Sequence, residues 1–229
     1  MCIRDRPTFT ITATILGVDI TPASWTVDPT TVGTTYTQAF SFTNRFGSFT
    51  GGAVGAALTS AFRTRPTIAA AGPQQTFTVN VPAGSTLVSA RIGNAADSRA
   101  DLDLFLFDCH LGMNACVLKS QSTSSSSEEF VSSANPVAGT WLVLVDPFAV
   151  PAGTTAYDLV DNITNPAFGS VSITDPAAVH ANGATWSATA SATAAAAPEA
   201  GRFLQGFVRV MSGSTVLGSA EVDLLNVGP

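Results

Sequence analysis

Residues 100–108 read ADLDLFLFD. Leu102, Leu104 and Leu106 recur at every second position, with Asp101, Asp103, Phe105 and Phe107 between them, which is the period of a β-strand. One face is wholly aliphatic; the other begins acidic and ends aromatic. A strand that is apolar on both faces at its centre belongs inside a sheet rather than at its rim. Further period-two runs rich in Thr, Val, Phe and Ile recur on either side at intervals of about 8–12 residues. They cover 8–16, 24–28, 36–44, 76–81, 86–93, 102–108, 117–120, 128–134, 140–146, 155–160, 169–174, 185–190, 203–211 and 214–225. Gly, Pro, Asn and Ser clusters separate them, which predicts an all-β sandwich or barrel. ATASATAAAA at 188–197 has helix-forming composition. Its alternating Thr and Ser, its lack of an apolar stripe and the following Pro198 predict extended chain or loop instead.

The strand runs directly into DCHLGMNAC at 108–116. Cys109 and Cys116 flank a turn between two β-patterned runs, so their Cβ atoms can reach bonding distance. A disulfide, two free thiols and a metal pair are all open. The metal reading needs more ligands than the adjacent His110 supplies. Compartment logic favours the disulfide and an exported protein. The loop at 122–127, STSSSS, reads as a solvated hairpin loop rather than a linker between domains. Asp101 and Asp103 point to one side of their strand and Asp97 precedes them, so a hard cation such as calcium could find oxygen ligands there. The alternative is that these carboxylates stay solvated, cap loop amides, or pair with Arg99 or Arg91. The glycine-containing D-x-D-x-D-G pattern of calcium loops is absent.

The whole chain has 229 residues, 45% hydrophobic and 11% charged, with 10 Lys+Arg against 16 Asp+Glu and a net charge of -6. Such an acidic chain has no electrostatic footprint for a phosphate backbone, which excludes nucleic-acid partners. A mean hydropathy of +0.30 excludes general disorder. The longest apolar stretches are far short of the ~20 residues of a spanning helix, so no membrane span is expected. Residues 1–6, MCIRDR, have neither the apolar core of a signal peptide nor a periodicity that continues. They resemble a translated sequencing-adapter tail and are set aside as non-native. The expectation is then that the chain is the C-terminal piece of a longer protein.

QTFTVNVPAGSTLVSARI at 75–92, ADLDLFLFD at 100–108, SEEFVSSANPVAGTWLVLVD at 127–146 and PFAVPAGTTAYDL at 147–159 together resemble the bacterial pre-peptidase C-terminal domain, a jelly-roll-like β-sandwich. TYTQAFSFTNRFG at 35–47 and AFGSVSITDPAAVH at 167–180 resemble two strands of the fibronectin type III-like domain that follows the catalytic domain in subtilisin-like serine proteases. Pro176 and Ala177 depart there from the usual Asp-Gly. The resemblances imply two β-sandwiches. The pre-peptidase-type domain, 66–161, is inserted in or follows a fibronectin type III-like domain, which in the first case is discontinuous, 7–65 plus 162–229. Three sequential units are the alternative, and pairing between the strands at 36–44 and 169–174 would decide.

Subtilisin-like catalysis needs an Asp, a His and a Ser on one acyl-transfer site. His110 lacks the H-G-T of the family's catalytic histidine, His180 matches a non-catalytic position, and neither G-T-S-M-A nor G-x-S-x-G occurs. No catalytic residue and no cofactor are therefore expected. Trp25, Trp141 and Trp186 lie in β-patterned runs, where core packing is the default, and Phe148 beside Pro147 is expected to be exposed. The leading function is a non-catalytic C-terminal region of a secreted subtilisin-like protease. It would serve stability, secretion or maturation, or substrate and surface engagement. Its partners would be the parent's catalytic domain and a polypeptide or polysaccharide substrate. The alternative is a carbohydrate-binding or adhesive sandwich of a surface protein.

Overall fold

The computed structural model describes residues 17–45, 47–70 and 72–229. The strand expected at 8–16, the tail at 1–6 and Cys2 lie outside them. In chain order the strands begin with β1 (Val18–Thr21), β2 (Ser24–Val27), β3 (Thr35–Asn44), β4 (Phe49–Val54), β5 (Thr59–Thr64) and β6 (Thr67–Ala69). There follow β7 (Gln75–Val81), β8 (Leu87–Gly93), β9 (Asp101–Asp108), β10 (Val117–Ser122), β11 (Glu129–Ala134), β12 (Gly139–Ala149) and β13 (Thr154–Ala156). The last are β14 (Asp158–Thr164), β15 (Gly169–Ile173), β16 (Ala178–His180), β17 (Thr185–Ala194), β18 (Phe203–Ser212) and β19 (Thr215–Leu224).

These strands make two sandwiches that share a sheet. One four-stranded sheet has the order β1-β3-β17-β15 and another β10-β9-β12-β7. The nine-stranded sheet runs β11-β8-β14-β5-β18-β19-β2, with β4 joined to β18 and β16 to β4. The first core holds Phe40, Phe42, Leu204, Val208, Val222 and Leu224. It draws on chain from Val18 to Leu58 and from Phe168 to Leu224. The second core, from Ile68 to Ile163, holds Leu102, Leu104, Leu106, Trp141, Val143 and Leu159. β5 lies beside β14 from Thr59 to Thr64 and beside β18 from Thr59 to Ala61. The two passages of the chain between the cores are therefore antiparallel neighbours in one uninterrupted sheet. The direct pairing of the strands at 36–44 and 169–174 that would decide between an insert and three sequential units is not found: β3 and β15 do not pair with each other, but both flank β17 in one sheet.

β9 alternates between partly exposed and buried along its whole length and sits between β10 and β12, as its two apolar faces require. The alanine-rich stretch is extended: β17 continues to Ala194, and Ala190, Ala192 and Ala194 point into the first core. Burial of this alternate row outweighs alanine's high helix propensity, which tertiary packing routinely overrides. Two expectations are corrected. β10 and β11 belong to different sheets, so 122–127 is an arch that carries the chain from one sheet to the facing one, not a hairpin loop. The run at 155–160 is divided between β13, which among the described residues pairs with β6 alone, and β14. Short β4 was not foreseen, because its Gly51-Gly52 pair reads as a breaker. A Cβ on either glycine would collide with the backbone carbonyl of Met211 or Asp175, so glycine permits the close approach of neighbouring chain.

Candidate functional site

The outward face of β9 continues across its neighbours. Leu118 of β10 and Leu142 of β12 stand opposite Phe107, and Leu144 stands opposite Phe105. These side chains remain partly exposed, Leu118 to 44%. One pair further along, Asp103 faces Asp146 across the β9–β12 ladder, and Asp101 follows two residues away on the same side. Past Asp146 the register shifts, and Phe148 stands 71% exposed, as its position beside Pro147 led us to expect. Asp101, Asp103, Phe148 and the serine arch at 123–125 enclose an open cleft of about 440 Å³.

Among the described residues, Asp101, Asp103 and Asp146 form no ion pair, and Oδ1 of Asp101 is buried without a hydrogen-bond donor. Burial, followed by the charges of Asp101, Asp146 and Glu129, raises the Asp103 carboxyl above its ordinary value. Glu129 is buried on the inner side and satisfied by the arch. It accepts from the amide of Ser124 at 2.8 Å, from Ser124 Oγ at 2.5 Å and from Ser122 Oγ. The serine run thus solvates a buried carboxylate, a role that its composition alone did not reveal.

Asp97 does not join the other two. Its carboxylate accepts from the Arg99 amide at 3.1 Å and Nε at 3.0 Å, and from the Ala152 amide at 3.0 Å. The Arg99 side-chain hydrogen bond is the main influence holding it below the ordinary carboxylate range. No group of three or more His, Cys, Asp or Glu side chains among the described residues is arranged to hold a metal ion. The sequence-level calcium trio is thus divided into a loop clamp and a sheet-face pair.

Cys109 and Cys116 are joined in a disulfide, with Cα atoms 4.1 Å apart. Asp108, buried beside them, binds His110 Nδ1 at 2.6 Å and Lys119 Nζ at 3.4 Å. Burial opposes ionisation of this carboxyl, but the His110 and Lys119 contacts outweigh it and lower its proton affinity. His110 is therefore held as part of the loop. Replacing both cysteines with serine is expected to lower stability by about 2.5 kcal/mol, the chain-entropy value for so short a loop. Urea unfolding with and without reductant checks this: the parent should lose that amount on reduction and the variant nothing. His180 is also a packing residue. Its ring stacks on Trp186 at 3.7 Å between centroids, and Trp186 Nε1 donates to Asp175 Oδ2 at 3.0 Å. Asn44 Nδ2 donates to the carbonyls of His180 and Ala181, so the stretches at 35–47 and 167–180 meet at one knot. Trp25 and Trp141 lie in the cores.

The outer face of the nine-stranded sheet holds two larger concavities, of about 530 and 700 Å³, both bordered by Arg91. Arg63 binds Glu221 and Asp223, and Arg65 binds Asp158, whereas Arg91 and Arg209 form no ion pair among the described residues. Arg63 and Arg209 also lie over the rings of Phe203 and Phe207. Asn162 Oδ1 and Asp223 Oδ1 on this sheet lack hydrogen-bond partners, as Asp101 Oδ1 does on the β10-β9-β12-β7 sheet, and the latter sheet is distinguished by setting carboxylates without an ion pair beside an apolar row.

Comparison with known proteins places residues 74–147 in the family model described as the bacterial pre-peptidase C-terminal domain. The matched stretch runs from the start of β7 to Pro147 in β12 and contains the candidate face. Such a domain is an accessory, non-catalytic unit of secreted proteases. No curated protein sequence matches the chain. Among solved structures, the chain is similar to the Aeromonas hydrophila periplasmic inhibitor of g-type lysozyme, PliG. The identity is 14% and the TM-score 0.33, over 47% of this chain and 88% of the other.

Proposed function

We propose that residues 7–229 are the non-catalytic C-terminal region of a secreted subtilisin-like serine protease. In this reading a fibronectin type III-like domain, 7–65 plus 162–229, carries the pre-peptidase-type domain, 66–161, as an insert. The match of residues 74–147 to the pre-peptidase C-terminal model carries the proposal. The disulfide supports an oxidising destination outside the cytoplasm, and the division of the cores near residues 58–68 and 163–168 supports the insert. The region would stabilise the parent outside the cell and present surface to its substrate, with no reactive residue of its own. Two measurements test this. The reading frame upstream in the source gene should encode H-G-T and G-T-S-M-A motifs within a few hundred residues; a frame without them removes the protease parent. The purified chain should leave a casein substrate intact, and hydrolysis abolished by a serine-directed inhibitor would overturn the non-catalytic assignment.

A further inference from the structure

The geometry points to the outer face of the β10-β9-β12-β7 sheet as a docking surface for an extended segment of another polypeptide, one that places a lysine or arginine beside aliphatic side chains. The inference goes beyond the protease reading and stands whether or not the parent is a protease. A solvated antiparallel sheet normally alternates apolar inward and polar outward residues. β7 obeys this, exposing Thr76, Thr78 and Asn80, whereas the middle strands present Phe105, Phe107, Leu142 and Leu144 outward. An apolar centre with a polar rim is the layout of an interface.

The acidic end specifies the charge of the partner. Asp103 and Asp146 are directly opposed, an arrangement that destabilises a ladder when both are ionised. Arg99, the nearest cation in sequence, is committed to Asp97. The unpartnered Oδ1 of Asp101 lacks a donor, which an ammonium or guanidinium group would supply. Phe148, at the border of the same cleft, offers a ring against which the aliphatic stem of such a side chain can lie. Charge complementarity therefore favours a cationic partner, and the adjoining Phe and Leu rows require an apolar one. An anionic lipid surface would be repelled by the same carboxylates.

Two fluorescent peptides of equal length serve as probes, both of alternating leucine and threonine, one ending in two lysines and the other in two glutamates. Binding to the full chain is followed by fluorescence anisotropy at low salt, and the face is mapped by hydrogen exchange. The lysine peptide is expected to bind at least about tenfold more tightly than the glutamate peptide and to weaken as salt is raised. Binding should protect β9 and β12 amides. Asp103→Asn with Asp146→Asn, which keeps shape and removes charge, should weaken the lysine peptide about tenfold. Leu118→Ser, at the exposed strand on the edge of the sheet, should weaken both peptides. No binding at millimolar peptide, equal binding of the two peptides, or indifference to the double Asn change would overturn the proposal. So would sedimentation showing a dimer that the lysine peptide does not dissociate, because a second copy would then be the occupant. Displacement of the peptide by millimolar calcium, with calcium itself bound at Asp101 and Asp103, would likewise assign the face to a cation.

Discussion

Replacing Arg202 with methionine is expected to cost about 3–5 kcal/mol at pH 7, the range for breaking a buried ion pair from one side. Arg202 and Asp161 have side chains only 6% and 2% exposed. The guanidinium also donates to Ser60 Oγ at 2.7 Å and to the Ser60 carbonyl at 3.0 Å. Asp161 belongs to β14, Ser60 to β5, and Arg202 immediately precedes β18, so one side chain ties three adjacent segments where the two sandwiches share a sheet. Burial already raises the Asp161 carboxyl above its ordinary value of 3.8, with Arg202 opposing the rise. Without Arg202 the rise is greater. A carboxyl whose folded proton affinity is raised favours the folded state most below its unfolded value, and that stability is lost as pH climbs through the folded value. The penalty of Arg202→Met should therefore be smaller at pH 5 than at pH 8. Asp161→Leu should behave differently, because an arginine cannot neutralise itself by losing a proton, so its penalty should persist across that range. The double change to methionine and leucine should recover most of the loss. Urea unfolding of the three variants at both pH values checks this. Equal pH dependence for the two single changes would show that the pair is not the controlling contact.

Some of this was legible in the chain. Period two placed Leu102, Leu104 and Leu106 inward and β9 within a sheet, because one residue of slip would invert every side chain. The cysteine spacing and flanking strands brought Cys109 to Cys116 because the loop is short. The ion pair was half legible. Asp161 falls in phase with Leu159 and Ile163, so an inward acid was readable, but its partner lies 41 residues away beyond any local periodicity. Glu129, in phase with buried Val131, carried the same signal. The candidate face depended on a long-range fact too: Asp103 is acidic by sequence, but only strand register sets Asp146 against it. Asp97 looked like a third member because it is close in sequence, whereas Arg99 and the Ala152 amide draw it into a separate loop.

Trp141→Ala should be the second large loss, about 3–5 kcal/mol, and it should reach the other sandwich. Trp141 is fully buried in β12, between Asp108 of β9 and Val79 of β7, and its Nε1 donates to the Val137 carbonyl at 2.9 Å. Truncation leaves a cavity in a core that cannot collapse freely, because β12 is hydrogen-bonded on both sides. Trp141→Phe, which keeps most of the apolar volume and gives up the hydrogen bond, should lose about 1–2 kcal/mol. The spread of the effect follows from the shared sheet. β14 closes the second core with Leu159 and Ile163, and along its length it is bonded to β5, which in turn is bonded to β18 of the first core. Opening the second sandwich strips β5 of one neighbour and exposes the Arg202–Asp161 pair, so the first sandwich cannot keep its full stability alone. Hydrogen exchange under native conditions should therefore show Trp141→Ala lowering protection of β17 amides in the first sandwich as well as of β9. Unchanged protection in β17, with β9 and β12 exchanging freely, would mean that the sheet is continuous in hydrogen bonding but not in cooperativity.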